Sequence, residues 1–507
     1  MTRKTRFAPA LAALCIGAFA AGPATAQKAG GTLTIGTEAE FSGFDHLKAK
    51  IFNQNTMAPA SSVMETLFAY EGKDIVPRLG LSLAEAPDRM SATVKLRQGV
   101  KFHDGTPFNA DAVVFHYQRL LAPDSGINVG GIAPIDKVEK VDDHTVRFKL
   151  KAPWSALRSA LALEGLANFI GSPAALKDGE AFHRHPVGTG PFAVKEWRAG
   201  DRLVLERNPD YWDKKLPYLD RVVYRVLPDG NTRFASIKSG EVDIGRMDVA
   251  EHVLAAREDK SLVVHDYEGS GAFMWNFQNA RPPFDDARVR QAVTHAFNAQ
   301  AMIDTMYRGT TKPTNDLMGP KSEWHCPNLN WRGYDLAKAR ALVAEYGKPV
   351  EFELVSTNTP AGRRQAAMIQ QFAQQAGMKV AIRLVEQSQN VRVGLSGDYQ
   401  MDVWRYSDLG MDPDMVLSYY FGGANGQPVS RHDTSRVDPL LAKARSEPDP
   451  KKRKAMYCEV MQVIADEAYA LIPIRTTYFA IGHPYVKGLP EMQNSLIRVR
   501  GMWLDKK

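Results

Sequence analysis

Nine short runs rich in β-branched and aromatic residues are spread along the chain, with segments of helical periodicity between them. Strands that alternate with helices of this length predict an α/β fold. The runs are GTLTIGT (31–37), TVRFKL (145–150), RLVLERN (202–208), RVVYRVL (221–227), SLVVHDY (261–267), AFMWNFQ (272–278), EFELVST (351–357), KVAIRLVE (379–386) and MDVWRYS (401–407). No repeat at solenoid periods and no low-complexity linker interrupts this alternation.

The first 26 residues have the pattern of a secretory signal peptide. Arg3, Lys4 and Arg6 precede an apolar run, and Ala24 and Ala26 occupy the small positions of a cleavage site. We therefore expect cleavage after Ala26 and a periplasmic protein; the alternative is a single membrane anchor. The mature chain of 507 − 26 = 481 residues exceeds what one core usually holds, which predicts two or more lobes.

The charge of the chain bears on nucleic-acid binding, and its cysteines bear on disulfide formation. The net charge of +7 falls to about +4 without the three basic residues of residues 1–26. KKRK (451–454) opens a predicted helix, so it indicates a solvated helix face and not a nucleic-acid site. Cys326 and Cys458 follow the cleavage point, and an oxidising periplasm would permit a disulfide between them. A buried free thiol at Cys458 is equally compatible with its apolar helical position.

The adjacent residues His103 and Asp104 invite a catalytic interpretation, which their surroundings do not favour. Asp104-Gly105 is a tight-turn dipeptide, and Asn109 is placed to cap the following helix. Neighbouring side chains on the backbone point apart, and no nucleophile or third ligand stands nearby in sequence. The residues therefore predict a structural turn.

Sequence motifs for catalysis and for metal binding are missing. The chain has no H-E-x-x-H, G-x-S-x-G or G-x-x-x-x-G-K-[ST] pattern. GTGPFA (188–193) lacks the helix that a dinucleotide site needs, and His183 and His185 have no further ligands at suitable spacing. We predict no enzyme, cofactor or metal; a periplasmic hydrolase using His103 or the His183–His185 pair is the rival hypothesis.

Aromatic and polar residues are mixed where several predicted strands end. Such segments are typical of a binding cleft with aromatic walls and a few orienting polar groups. The segments are EFSGFDH (40–46), WNFQNARPPF (275–284), WRYSDLGMDPD (404–414) and SYYFGGANG (418–426). Alternation along MDVWRYS places Arg405 opposite Trp404, and an arginine is rarely buried unpaired. The face that carries Arg405 is therefore predicted to open on a cleft or to hold a partner.

Several ordered blocks resemble the extracellular solute-binding proteins of family 5, the periplasmic receptors of peptide, nickel and opine ABC importers. The resemblance covers essentially the whole predicted mature chain. The blocks are LRQGVKFHDGTPFNADAVVFHYQRL (96–120), GTGPFAVKEWRAGDRLVLERNPDYW (188–212), LDRVVYRVLPDGNTRFASIKSGEVDI (219–244), PPFDDARVRQAVTHAFN (282–298), YDLAKARALVAEYG (334–347) and YVKGL (485–489).

This resemblance implies a two-lobe periplasmic-binding-protein fold with an inserted extra domain. Lobe I would comprise 27–58, 188–268 and 482–507, the inserted domain 59–187, and lobe II 269–481. The lobes would close on a solute and present it to a permease and ATPase complex in the inner membrane. The resemblance implies a monomer without nucleic-acid partners. The same fold could also serve a chemoreceptor or act as a chaperone.

The resemblance also suggests ligand contacts. Asp408 stands where peptide receptors bind the ligand's amino group, although SDLGMDPD is one residue longer than the usual turn. Thr357 or Asn358 stands where dipeptide receptors place an arginine, while Arg405 replaces an aromatic cleft residue. We therefore expect a small, partly anionic, peptide-like or amino-acid-derived solute held by Arg405. Transport of a metal chelate is a weaker possibility, since only His46 and His432 lie near the cleft segments. The predicted ligand-binding residues are Glu40, Phe41, Ser42, Trp275, Asn276, Trp404, Arg405, Asp408 and Asn425.

Overall fold

The computed structural model describes residues 27–49, 54–123, 125, 132–164, 168–314, 316–406, 412–423, 429–490 and 496–506. The predicted signal peptide lies outside these ranges. The strands are β1 (Thr32–Thr37), β2 (Phe68–Glu71), β3 (Asp74–Pro77), β4 (Gly80–Glu85), β5 (Ser91–Leu96), β6 (Ile135–Asp142), β7 (Thr145–Leu150), β8 (Phe192–Arg198), β9 (Arg202–Arg207), β10 (Arg221–Val226), β11 (Ile244–Met247), β12 (Val263–Phe277), β13 (Glu351–Thr357), β14 (Lys379–Val385), β15 (Met401–Tyr406), β16 (Ala470–Gly482), β17 (Val486–Lys487) and β18 (Trp503–Leu504).

Helices fill the intervals between these strands, as the alternating pattern predicts. They are α1 (His46–Ala49), α2 (Gln54–Val63), α3 (Ala110–Leu121), α4 (Leu157–Ala162), α5 (Gly179–Arg184), α6 (Gly230–Lys238), α7 (Ala250–Glu258), α8 (Ala287–Ala296), α9 (Ala299–Met302), α10 (Leu336–Tyr346), α11 (Pro360–Gln375), α12 (Gln387–Ser396), α13 (Pro413–Phe421), α14 (Asp438–Ser446) and α15 (Pro450–Glu467). Within the described ranges, no helix combines the length and the apolar character needed to cross a bilayer.

One ten-stranded sheet runs through both lobes, in the order β14-β13-β15-β12-β16-β11-β1-β10-β9-β8. The long strands β12 and β16 pair along most of their length and join the two halves of the sheet. Their register shifts between Glu268 and Ala272, opposite Thr477 and Arg475. This irregularity marks the crossing from one half to the other. It lies beside the predicted boundary at 268/269, and the domain boundaries as a whole stay a prediction.

A separate four-stranded sheet, β4-β5-β7-β6, lies within residues 59–187, the range predicted as the inserted domain. Its core collects buried residues between Leu67 and Ile170, and one residue of lobe II, Met415, joins it. In lobe II, side chains alternate along β12 between two cores. Trp275 and Phe277 face one, and Ala272 and Met274 face the other.

The buried carboxylate of Glu65 ties the inserted domain to lobe I. It accepts hydrogen bonds from Thr189 Oγ1 at 2.9 Å, Tyr211 OH at 2.7 Å and Trp212 Nε1 at 2.8 Å. The guanidinium of Arg97 also stacks over the Trp212 ring, 3.9 Å from its centroid. A buried charged group with several hydrogen bonds resists rearrangement because loss of any partner leaves it unsatisfied. These contacts join the predicted inserted domain to lobe I.

His103 and Asp104 have the structural role predicted for them. His103 Nε2 lies 3.0 Å from the carbonyl oxygen of Gly190, so it donates, and Nδ1 accepts from the Gly188 amide at 3.3 Å. Asp104 accepts from Ser172 Oγ at 2.6 Å. Burial lowers the pKa of His103, which keeps the imidazole neutral for this bonding pattern.

Cys326 and Cys458 form a disulfide, which resolves the alternative that the sequence left open. It fastens the segment before α10 to α15. Their Cα atoms are 5.7 Å apart, within the range that disulfides require. Cys326 is buried in the same lobe II core as Met461 and Ile464 of α15.

Candidate functional site

Strand direction brings two sets of carboxyl ends face to face. In lobe I, β1 and β11 are parallel to each other and antiparallel to β16. In lobe II, β13, β14 and β15 are parallel to one another, and β15 is antiparallel to β12, which is antiparallel to β16. The two sets therefore run toward each other and end at the crossing. Ligands of α/β proteins collect at the carboxyl ends of strands, so this is the candidate cleft.

The lobe I side of the cleft carries an arginine that sequence reasoning missed. Arg246, on β11, lies 3.2 Å from the carboxylate of Glu38, which follows β1 directly. Its guanidinium stands over the ring of Tyr478, 5.5 Å from the centroid. The Arg246 side chain is 11% exposed, so water screens this charge only weakly. In the sequence, the available indication was its place two residues after the block 219–244.

Glu40 and Ser42 both serve the local structure of the loop after β1. The Glu40 carboxylate accepts from Trp197 Nε1 at 3.1 Å and from the Gly200 amide. The amide of Ser42 donates to Thr56 Oγ1 at 2.7 Å, and the two hydroxyls are 3.0 Å apart. Solute contacts for Glu40 and Ser42 remain a proposal.

The predicted aromatic walls Phe41 and Trp275 lie in hydrophobic cores, and their contact with a solute stays a prediction. Phe41 is 4% exposed and packs edge-on against Trp197 and Tyr224. Trp275 is fully buried, with its ring centroid 5.0 Å from that of Phe297. Burial of a large apolar ring stabilises the fold most when the ring is completely removed from water, and both rings are buried in this way.

Asn276 is also buried, and it lies away from the cleft. It pairs across the strands with Asp402, whereas Ala272 and Tyr406 pair at the cleft end. Four residues of strand place Asn276 about 13 Å from that end. Within the described structure, Asn276 Nδ2 and both carboxylate oxygens of Asp402 have no hydrogen-bond partner. Burial raises the pKa of Asp402, which favours its neutral acid form.

The remaining predicted residues come from segments that the structure describes only in part. The backbone of β15 is described, and it pairs Arg405 with Phe273 and Trp404 with Met274. Arg405 is therefore next to the last residue of a strand that ends at the cleft. Asp408 and Asn425 lie outside the described residues.

A second arginine stands beside the end of β13. Asn358 follows this strand; its side-chain Nδ2 donates to the Glu386 carboxylate at 3.2 Å, and its Oδ1 accepts from Arg363 Nη1 at 2.7 Å. Residues 357 and 358 are Thr and Asn, but the first turn of α11 places the Arg363 guanidinium beside the end of β13. The run TPAGRR (359–364) was the indication available in the sequence.

The imidazoles of His46 and His432 are buried and contact other groups of the protein. His46 is 7% exposed, and its Nε2 lies 3.4 Å from the carbonyl oxygen of Phe169. His432 Nδ1 lies 2.7 Å from Ser430 Oγ, and its ring stacks on Tyr469 at 3.9 Å between centroids. Within the described ranges, no three histidine, cysteine or acidic residues cluster as metal ligands would.

Acid should weaken the fold through these two histidines. Burial lowers the pKa of His46 and of His432 to about 4, while an unfolded histidine titrates near 6.5. The unfolded chain therefore binds more protons as the pH falls from 6.5 to 4, and stability is lost across that interval. We expect a loss of roughly 3 kcal/mol for each group.

The measurement is urea unfolding between pH 7 and pH 4. His46→Gln should lower the dependence of the unfolding free energy on pH. His185→Gln, at an exposed histidine, is the matched control. An equal effect of the two substitutions would contradict the assignment.

Two lobes joined by two strand crossings, with facing strand ends between them, define the class of two-lobe periplasmic binding proteins. The family model "Bacterial extracellular solute-binding proteins, family 5 Middle" matches residues 74–428. The chain belongs to this family, whose members are periplasmic components of ABC transporters.

Sequence identity and structural superposition with individual proteins support this family assignment. The chain is 30% identical over 468 residues to the glutathione-binding protein GsiB of Salmonella typhi, covering 89% of each chain. Among solved structures, it superposes with a TM-score of 0.86 and 25% identity on the Helicobacter pylori periplasmic binding protein DppA in complex with the peptide STSA, covering 94% of this chain and 99% of that one. The same scores and coverage hold for AgaA of A. tumefaciens R10 in complex with agropinic acid.

Proposed function

We propose that this protein captures a small, peptide-like or amino-acid-derived, partly anionic solute by closure of its lobes. It then delivers the solute to a membrane permease. The observation that carries this proposal is that the carboxyl ends of two sets of strands face each other, with an arginine beside each set. Arg405 lies next to the last residue of β15 on one side, and Arg246 lies next to the last residue of β11 on the other. Glutathione, the peptide STSA and agropinic acid, bound by the relatives, are of this chemical kind.

In this proposal, the signal peptide directs export to the periplasm and is cleaved after Ala26. The mature protein works as a monomer without a catalytic step. A hydrolase that uses His103 is disfavoured because both ring nitrogens of His103 are hydrogen-bonded to the backbone of Gly188 and Gly190. A general base needs one ring nitrogen free to take a proton.

The first test is native mass spectrometry of the exported protein before and after mild denaturation. A released carboxylate-bearing peptide or conjugate supports the proposal and identifies the solute. If the protein is solute-free, a thermal-shift screen of peptides, opines and organic anions follows, because a bound ligand raises stability with concentration. If none of these classes raises the melting temperature, the assignment of the solute class is wrong.

Replacement of Arg405 by alanine tests the anion contact. We expect roughly 100-fold weaker binding of a carboxylate solute, because removal of one partner of a desolvated charge pair costs on the order of 2–5 kcal/mol. Calorimetric titration measures the change. Arg281→Ala is the matched control, since Arg281 is exposed at the far end of β12. Equal affinity of Arg405→Ala and the parent protein would place the anion elsewhere.

A further inference from the structure

A buried contact joins the inserted domain to lobe II, away from the two strand crossings. The indole Nε1 of Trp154 donates to Asp414 Oδ2 at 2.7 Å. Trp154 is 2% exposed and Asp414 is 1% exposed, although they belong to different parts of the molecule. Met415, next along α13, packs into the core of the inserted domain. This contact excludes water and is more than a surface touch.

Lobe II orients the Asp414 carboxylate before the indole reaches it. Arg445 Nε lies 3.2 Å from both carboxylate oxygens, and Ser418 Oγ donates to Oδ1 at 3.1 Å. Arg445 Nη2 in turn donates to Ser418 Oγ at 2.7 Å. A charge held by its own lobe in this way offers a fixed acceptor, so little ordering is needed when Trp154 binds.

The inserted domain also covers the carboxyl end of α14. The amide of Ser155 donates to the Arg445 carbonyl at 2.9 Å, and its hydroxyl donates to the Glu447 carbonyl at 2.8 Å. Arg89 Nη1 donates to the Ser446 carbonyl at 2.7 Å. The last carbonyls of a helix have no partner within it, and a cation is favoured there. Here the donors belong to Arg89 and Ser155 of the inserted domain, whereas the helix belongs to lobe II.

These contacts cannot survive a rotation of lobe II about the strand crossings. The inserted domain moves with lobe I, because Glu65 and His103 bind it to Thr189, Gly188 and Gly190. The contact surface lies on neither crossing. Opening of the lobes must therefore separate the indole from Asp414 and uncover the carbonyls of residues 445–447.

We propose that Arg89, Trp154 and Ser155 act as a clasp that holds lobe II in the closed position and slows release of the solute. The clasp binds the first turn of α13 and the carboxyl end of α14, both in lobe II. The inference rests on lobe closure in the proposed function.

The test measures the separation of the lobes directly. Spin labels are attached to cysteines introduced at Val141, on β6, and Leu384, on β14, both of which are exposed. Cys326 and Cys458 are bonded to each other and do not take the label. Pulsed electron resonance then gives the distribution of distances in the processed protein, with and without the solute.

We expect Trp154→Phe and Ser155→Ala each to shift the closed-to-open ratio about tenfold toward the longer distance and to accelerate solute release. Tenfold corresponds to about 1.4 kcal/mol, the worth of one or two net hydrogen bonds. Trp324→Phe is the matched control, because Trp324 is a buried tryptophan that packs on Tyr457 within lobe II. It should leave the ratio unchanged.

Unchanged distances in both clasp variants would overturn the inference. This outcome is separate from failure of the proposed function, which would show as a parent protein that binds none of the screened solutes. The distances in the solute-free protein report on the clasp in either case.

Discussion

Replacement of Cys326 and Cys458 by alanine is expected to cost about 5 kcal/mol of the free energy of unfolding. The disulfide links positions 132 residues apart, so in the chain-entropy description it removes a large loop from the unfolded ensemble. Its loss frees the segment before α10 from α15, in the core that also contains Trp324 and Tyr457. Urea unfolding followed by tryptophan fluorescence measures the change.

The reduced parent protein is the natural comparison for this variant. In a strong reductant, its unfolding midpoint should approach that of the double alanine variant, and the midpoint of the variant should not respond to reductant. A loss below about 1 kcal/mol would contradict the expectation. It would mean that the packing of this core, and not the covalent link, holds the segment in place.

Replacement of Arg453 by methionine is expected to cost about 3–5 kcal/mol. The Arg453 side chain is 6% exposed, and two of its nitrogens bind the two oxygens of Asp412 at 2.5 and 2.6 Å. It also donates to Tyr457 OH at 3.0 Å and to the Ala444 carbonyl at 3.1 Å. Burial works against its charge, but the Asp412 carboxylate raises the pKa of the guanidinium. Methionine fills similar space but leaves Asp412 buried without a counter-ion.

Two variants separate the charge effect from the loss of packing. A double variant, Arg453→Met with Asp412→Leu, should recover much of the lost stability, because no uncompensated charge remains. Arg221→Met is the matched control at an exposed ion pair, in which Arg221 lies 2.9 Å from Glu206. It should cost less than about 1 kcal/mol. Equal losses for Arg453→Met and Arg221→Met would contradict the assignment.

Arg453 also illustrates a limit of sequence reasoning. The run KKRK predicts a solvated helix face, and Lys451, Lys452 and Lys454 fit that prediction at least in part. Arg453 instead points inward to Asp412, 41 residues earlier in the chain. Periodicity states which positions share a helix face. It does not state that another element will bring a carboxylate to that face.

The sequence by itself determined the local structure and the family. Asn109 caps α3 and Gly347 ends α10 in the left-handed conformation, as their residue types predict. These features depend on neighbours a few residues away, so the printed sequence contains their cause. The two-lobe fold was predicted in another way, from the resemblance of ordered blocks to a known family.

Only the tertiary structure decided the burial of Phe41, Trp275 and Asn276, the disulfide, and the positions of Arg246 and Arg363 beside the cleft. Alternation along a strand gives two faces but not which of them meets solvent. That choice depends on what the other strands and helices place against each face. The clasp depends on the same kind of contact, since Trp154 and Asp414 are 260 residues apart and only the fold brings them together.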